Sequence, residues 1–234
     1  CYGTMTPLLV PHKPTCRPVP FEQHEHTGGA LPLISQRAEP QAPRSKRQED
    51  LLGQLEELFA REGFRELTMA DLSSRLHCSR RTLYELAGSK EDLVALVVER
   101  FLDRNFSRGT EATSGHRSSR RRLEAFTMAV TEDAQRVGTA FADDLFRTPR
   151  TALLLAAYDQ RCARLVEEII QEGQTRGEFR PANAKLAAEG IMAAVSRIQD
   201  TDVLTELGLN YAQATREILD LLLYGLGIDP DPGN

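Results

Sequence analysis

The twelve prolines of this 234-residue chain divide it before any other feature is read. Eight of them (Pro7, Pro11, Pro14, Pro18, Pro20, Pro32, Pro40 and Pro43) precede residue 44, and none follows until Pro149. Proline lacks a backbone N–H and clashes with the preceding turn, so it is excluded from helix interiors. The first segment cannot join a helical core, whereas the long proline-free run can be helix throughout. Residues 1–46 are therefore read as a disordered, Pro-rich tail. His24 and His26 lie in that tail and are read as two exposed histidines, not a metal site. The chain opens on Cys1 and not on Met, so part of the tail is expected to stand outside the native protein.

From Gln48 the spacing turns helical. Leu51, Leu52, Leu55, Leu58 and Phe59 fall on one stripe of a helix, and Gly63 is placed to stop it. Thr68 precedes Asp71 by three residues, and Ser89 precedes Asp92 by three, each a capping-box pattern with Asp in the usual Glu position. Ser79 is a third N-cap candidate. These caps predict helices at about 47–62, 69–76, 80–86 and 90–106. The second and third are short and separated by a tight turn at His77, Cys78 and Ser79, which is the spacing of a helix-turn-helix. Residues 107–118 are read as a joint. Further helices are expected at about 119–137, 139–147, 150–176, 183–198 and 203–226. The fold class is all-α, and the organisation expected is a tail (1–46), a helix-turn-helix domain (47–106), a helical effector-binding and dimerisation domain (107–228) and a short tail (229–234).

The composition closes off several function classes. Four scattered cysteines form no C-x-x-C pair and no zinc-finger spacing, so neither a disulfide framework nor a metal site is expected. No window reaches the roughly 18 apolar residues of a membrane span, and the N-terminus lacks a signal-peptide pattern, so the expected location is cytoplasmic. No Ser/His/Asp order, H-E-x-x-H or phosphate-binding glycine loop is found. The chain is not read as an enzyme, and no cofactor is expected. A net charge of −5 argues against a nucleic-acid partner only if the charge is evenly spread. It is not: Arg75, Arg80, Arg81 and Lys90 outnumber Asp71 and Glu85 over residues 68–90. A short helix with two arginines in its first turn can enter a major groove about 12 Å wide, where the guanidinium fork matches guanine edges.

The run from Glu62 through Gly63-Phe64, Thr68-Met69, Ser79-Arg80-Arg81-Thr82-Leu83-Tyr84 to Ser89-Lys90-Glu91-Asp92-Leu93 resembles the N-terminal domain of TetR-type regulators. The resemblance covers residues 47–104. It implies an all-helical homodimer, a bacterial transcription regulator, with Thr68, Arg80, Arg81, Thr82, Tyr84 and Lys90 contacting DNA. Thr68 would meet a phosphate, Arg80 and Arg81 would lie nearest the bases, and Arg44 to Arg47 could add a basic arm. Four positions depart from the family pattern. His77 stands where a glycine usually permits a left-handed backbone, Arg81 replaces a common glycine, and Leu86 and Ala87 stand where an aromatic pair is usual.

Residues 171–181 also resemble the long helix and turn before that family's dimerising pair. By this analogy Leu186, Gly190, Ala194, Leu219, Leu222 and Leu223 would serve a dimer interface. Phe126, Val130, Phe141, Phe146, Leu154, Tyr158 and Cys162, apolar or aromatic with an occasional polar handle, are candidates for an effector pocket. The function expected is a ligand-responsive repressor that binds a palindromic double-stranded operator as a homodimer and answers to a small-molecule effector. The alternatives are a ligand-independent regulator or an activator of the same fold, and, more distantly, a helical-bundle enzyme.

Overall fold

The computed structural model describes residues 44–198, 204 and 206–226, and for 133–135 the backbone alone. Most of the Pro-rich tail, and the segment 229–234, lie outside the described residues. Among the described residues the secondary structure is helical: α1 (Lys46–Glu62), α2 (Met69–Arg75), α3 (Arg80–Leu86), α4 (Lys90–Thr113), α5 (Ser119–Gln135), α6 (Thr139–Arg147), α7 (Pro149–Thr175), α8 (Ala184–Arg197) and α9 (Tyr211–Leu226).

Side-chain caps set the helix starts. Ser45 accepts from Gln48 N–H while the Gln48 side chain returns to the Ser45 N–H, which opens α1. Thr68, Ser79 and Ser89 cap α2, α3 and α4 by the same hydroxyl-to-third-residue bond, as the sequence pattern predicts. Gly63, at φ +77, ends α1. Proline sits at the first position of α7, where its missing N–H is no loss.

Two helix ends differ from the sequence reading. α4 was expected to stop at residue 106, yet it runs to Thr113. Gly109 is the reason: it is buried against Phe126 and Val130 of α5, so the glycine that suggests a joint is a point of close helix approach. The last helix was expected from residue 203 but starts at Tyr211. Gly208 has φ +66, and Asn210 accepts from Gln213 N–H at 2.9 Å while its own N–H bonds the Gln213 side chain. That capping box resets the chain.

Two apolar clusters form the core. The first unites α1 to α4 around Leu52, Leu55, Phe59, Phe64, Leu72, Leu83, Leu93 and Val97, and it also takes Phe141 and Leu145 from α6. The second joins α5, α7, α8 and α9 around Phe126, Cys162, Val166, Ile169, Ile191, Leu219 and Leu223. Truncating any one of these buried Leu, Ile or Phe residues to Ala would cost about 2–5 kcal/mol. Tyr158 packs against both clusters and thus lies at their junction. No described helix is long and apolar enough to cross a membrane.

Candidate nucleic-acid interface

Positioning of the second short helix begins with the turn before it. His77 has φ 48, the left-handed conformation usually given to glycine, which histidine tolerates better than a β-branched residue. Two bonds brace the turn from α2: Cys78 N–H donates to the Ser73 carbonyl at 3.1 Å, and Ser73 Oγ donates to the Cys78 carbonyl at 2.5 Å. Ser79 then caps α3 through Thr82 N–H, and Leu83 is wholly buried beneath. With Leu83 inward, the neighbouring positions of α3 turn outward.

Arg80, Arg81 and Tyr84 are exposed and Thr82 is half-buried. Arg81 Nε lies 2.9 Å from Glu85 Oε1 one turn on, with both side chains open to water. An exposed pair of this kind contributes little, so the guanidinium is released to another anion at small cost. Thr82 Oγ1 shares a hydrogen bond of 2.8 Å with Ser79 Oγ. Arg75 is paired with Glu62 and adds little net positive charge to this face.

Two more of the six expected contacts have partners inside the protein. Thr68 directs both donors at its own cap: its hydroxyl donates to Asp71 Oδ2 at 2.6 Å and its N–H donates to the same oxygen at 2.9 Å. A phosphate contact from Thr68 would have to displace Asp71. Lys90 Nζ donates to the Arg65 carbonyl at 2.7 Å, using one of its three N–H groups. Lys46, counted in the tail, belongs with Arg47 to the first turn of α1.

The cap carboxylates are ionised well into acid. Hydrogen bonds from the Thr68 side chain and backbone hold Asp71 below the usual carboxylate range, and bonds from Ser89 and Arg150 do so for Asp92. With a depressed folded value, the cap's stabilisation is present above the ordinary carboxylate pKa. It is lost as pH falls through the folded one.

The expected effector pocket is not one lining. Phe141 belongs to the first cluster, where its ring meets Phe64 at 5.9 Å and Phe101 at 5.3 Å, and Leu154 packs beside it. Phe126 and Cys162 are buried in the second cluster, with Val130 against them. Phe146 is 57% exposed, because Phe141 and Leu145 occupy the inward stripe of α6. Tyr158 donates to Asn105 Oδ1 of α4, and Asn105 is itself buried.

The expected dimer residues divide as well. Leu219 and Leu223 are buried in the chain's own second cluster, and Leu222 is half-buried. Leu186 and Gly190 of α8 are exposed and Ala194 is half-buried. Leu221 and Tyr224 of α9, not named from the sequence, are 74% and 77% exposed. Their signal was present: α9 is apolar at Leu219, Leu221, Leu222, Leu223 and Tyr224, more than one helix face needs for a single core.

A small capped helix, held by a left-handed turn and presenting arginines to solvent, is the recognition element of a helix-turn-helix DNA-binding regulator. Residues 51–97 match the family described as bacterial regulatory proteins, tetR family. Over those residues the chain carries the DNA-binding domain of that family, the mark of a transcription regulator. The chain is 26% identical over 173 residues to the HTH-type transcriptional activator FasR of Mycolicibacterium smegmatis, covering 72% of this chain and 78% of that protein. Two solved structures share the fold. One is a putative transcriptional regulator from Saccharomonospora viridis in complex with choline, at 19% identity and a TM-score of 0.67, covering 79% of this chain and all of that one. The other is the fatty acid degradation regulator FadR from Bacillus halodurans, at 13% identity and a TM-score of 0.64, covering 79% of this chain and 98% of that one.

Proposed function

We propose that this chain represses transcription by binding a palindromic operator as a homodimer and releases it when a small, largely apolar effector binds the C-terminal helices. The observation that carries the DNA reading is the exposed arginine pair Arg80 and Arg81 at the start of a capped helix in an otherwise acidic chain. Arg80 and Arg81 read bases, Thr82 and Tyr84 add edge or phosphate contacts, and Lys90 and Thr68 lie nearest the phosphates. The organisation that goes with this is a DNA-binding domain of α1 to α4 followed by an effector and dimerisation domain.

The dimer reading is supported by apolar side chains left open on α8 and α9. Leu186, Leu221 and Tyr224 are 72%, 74% and 77% exposed on α8 and α9, and a Cβ added at Gly190 would meet nothing within 4 Å. A second copy presenting the same residues would bury them by two-fold symmetry. The effector reading is supported by the junction at Tyr158, where the half-buried Tyr158 bonds the buried Asn105 and offers a polar handle within apolar surroundings. Ligand that favours another half-site spacing would shift the population away from the DNA-bound form. A second reading, activation, is favoured by the name of the FasR relative.

Both arginines are exposed, so Arg80→Ala with Arg81→Ala should leave the fold intact. A good bidentate base contact is worth about 1–3 kcal/mol, so specific binding should weaken by at least about tenfold. Band-shift titration on a duplex enriched by the wild-type protein checks this. Unchanged affinity would place the recognition surface elsewhere. A reporter driven from that duplex separates repression from activation.

A further inference from the structure

The loop from Gly63 to Leu67 sets the direction in which α2 and α3 leave α1, and part of what holds it comes from outside those helices. Asp144 of α6 is 7% exposed, and its Oδ2 accepts from the N–H of Phe64 at 2.7 Å and from the N–H of Arg65 at 2.9 Å. A buried N–H is almost always given an acceptor. Here α6 covers the loop and also brings the acceptor. The fit is close, since a Cβ on Gly63 would lie 2.6 Å from the same Oδ2, at a φ of +77 that side chains rarely adopt. Gly138 N–H, just before α6, donates to the Ala60 carbonyl in the last turn of α1 at 2.6 Å. From the other side, Lys90 of α4 donates to the Arg65 carbonyl. The backbone of Arg65 is thus gripped by α6 and α4 together.

We infer that Asp144 is a positioning residue for DNA binding: its buried carboxylate fixes the loop that aims α2 and α3, although it touches no DNA itself. This rests on the reading of α3 as the DNA-contacting helix. The recognition helix then has its orientation set jointly by α4 and α6, and any rearrangement that lifts α6 strands the buried Phe64 N–H, takes the acceptor from the Arg65 N–H and frees the loop.

Asp144→Asn preserves size, weakens the acceptor and removes one negative charge. Charge alone would raise affinity for a polyanion, whereas loss of positioning lowers affinity for a chosen sequence, so the two effects have opposite signs. The probes are a duplex enriched from a randomised library by the wild-type protein and a scrambled duplex of equal length. The expected result is binding to the enriched duplex weaker by about tenfold or more, on the scale of one base contact, with the scrambled duplex bound no more weakly than by wild type. Gly63→Ala, which drives a methyl group against the same carboxylate, should reproduce the selective loss. Equal or tighter binding of the enriched duplex by Asp144→Asn overturns the inference, as does a parallel loss on both duplexes. A wild-type protein that enriches no sequence would instead refute the DNA reading, a result distinct from any difference between variants.

Discussion

At the scale of single residues, environment separates groups that share a chemistry. Cys162 could act as a redox sensor only as an exposed, stabilised thiolate. It is wholly buried in the second cluster, and burial pushes its thiol up to about 12. The thiol therefore stays protonated in the folded state at neutral pH. Because its folded value is raised, it has no effect on stability well below its ordinary value near 9, and it destabilises the fold as pH rises past that value. At pH 8 the native protein should resist alkylation at Cys162 and become reactive there only when unfolded, as site-resolved mass spectrometry would read. Rapid labelling of native Cys162 would contradict this assignment. His77 shows the converse case, in which an unusual residue was legible in the sequence. The family pattern places a left-handed residue there, and the backbone adopts φ 48 with histidine in that place.

At the scale of elements, the same residue type acts with opposite sign in two helices. Gly53 in α1 has nothing within 4 Å of its missing Cβ, whereas a Cβ on Gly109 in α4 would lie 2.8 Å from both the Phe126 ring and Val130. Gly53→Ala should stabilise the protein by about 0.5–1 kcal/mol through helix propensity. Gly109→Ala gains the same propensity but overpacks a contact between buried groups, which costs about 1–3 kcal/mol, so its melting temperature should fall. Thermal unfolding of the two variants reads the contrast, and a rise for both would show that α4 and α5 can separate freely at Gly109. The starts of α2, α3 and α4 were legible because Thr68, Ser79 and Ser89 act locally through their own side chains. The end of α4 was not, because Gly109 looks like a joint until α5 is placed beside it.

At the scale of the whole molecule, assembly depends on what one chain leaves open. Leu186→Glu with Leu221→Glu places two charges on the exposed face of α8 and α9 while leaving the protomer's own core untouched. A charge buried at an interface without a partner is strongly unfavourable, so these substitutions should turn a dimer into a monomer by light scattering while preserving helical content. A dimer that survives would move the interface to another surface. Expectation and structure diverge on this point. Leu219 and Leu223 look equivalent to Leu221 and Tyr224 in the sequence, but the first pair faces inward and the second faces solvent.

By itself the sequence determined where the first four helices begin, that a short arginine-bearing helix follows a tight turn, and which family that pattern resembles. Each of these depends on residues within a few positions of one another, through caps, proline geometry and helical spacing. Only the tertiary structure decided which apolar residues face inward, that Phe141 and Leu145 of α6 complete the first core, and that Asp144 bonds a loop some eighty residues earlier in the chain. Those facts come from the packing of distant segments, where burial creates the need for a hydrogen-bond acceptor that a local pattern cannot reveal. The helix-turn-helix is therefore written locally, and its orientation is set by partners that the chain brings back later.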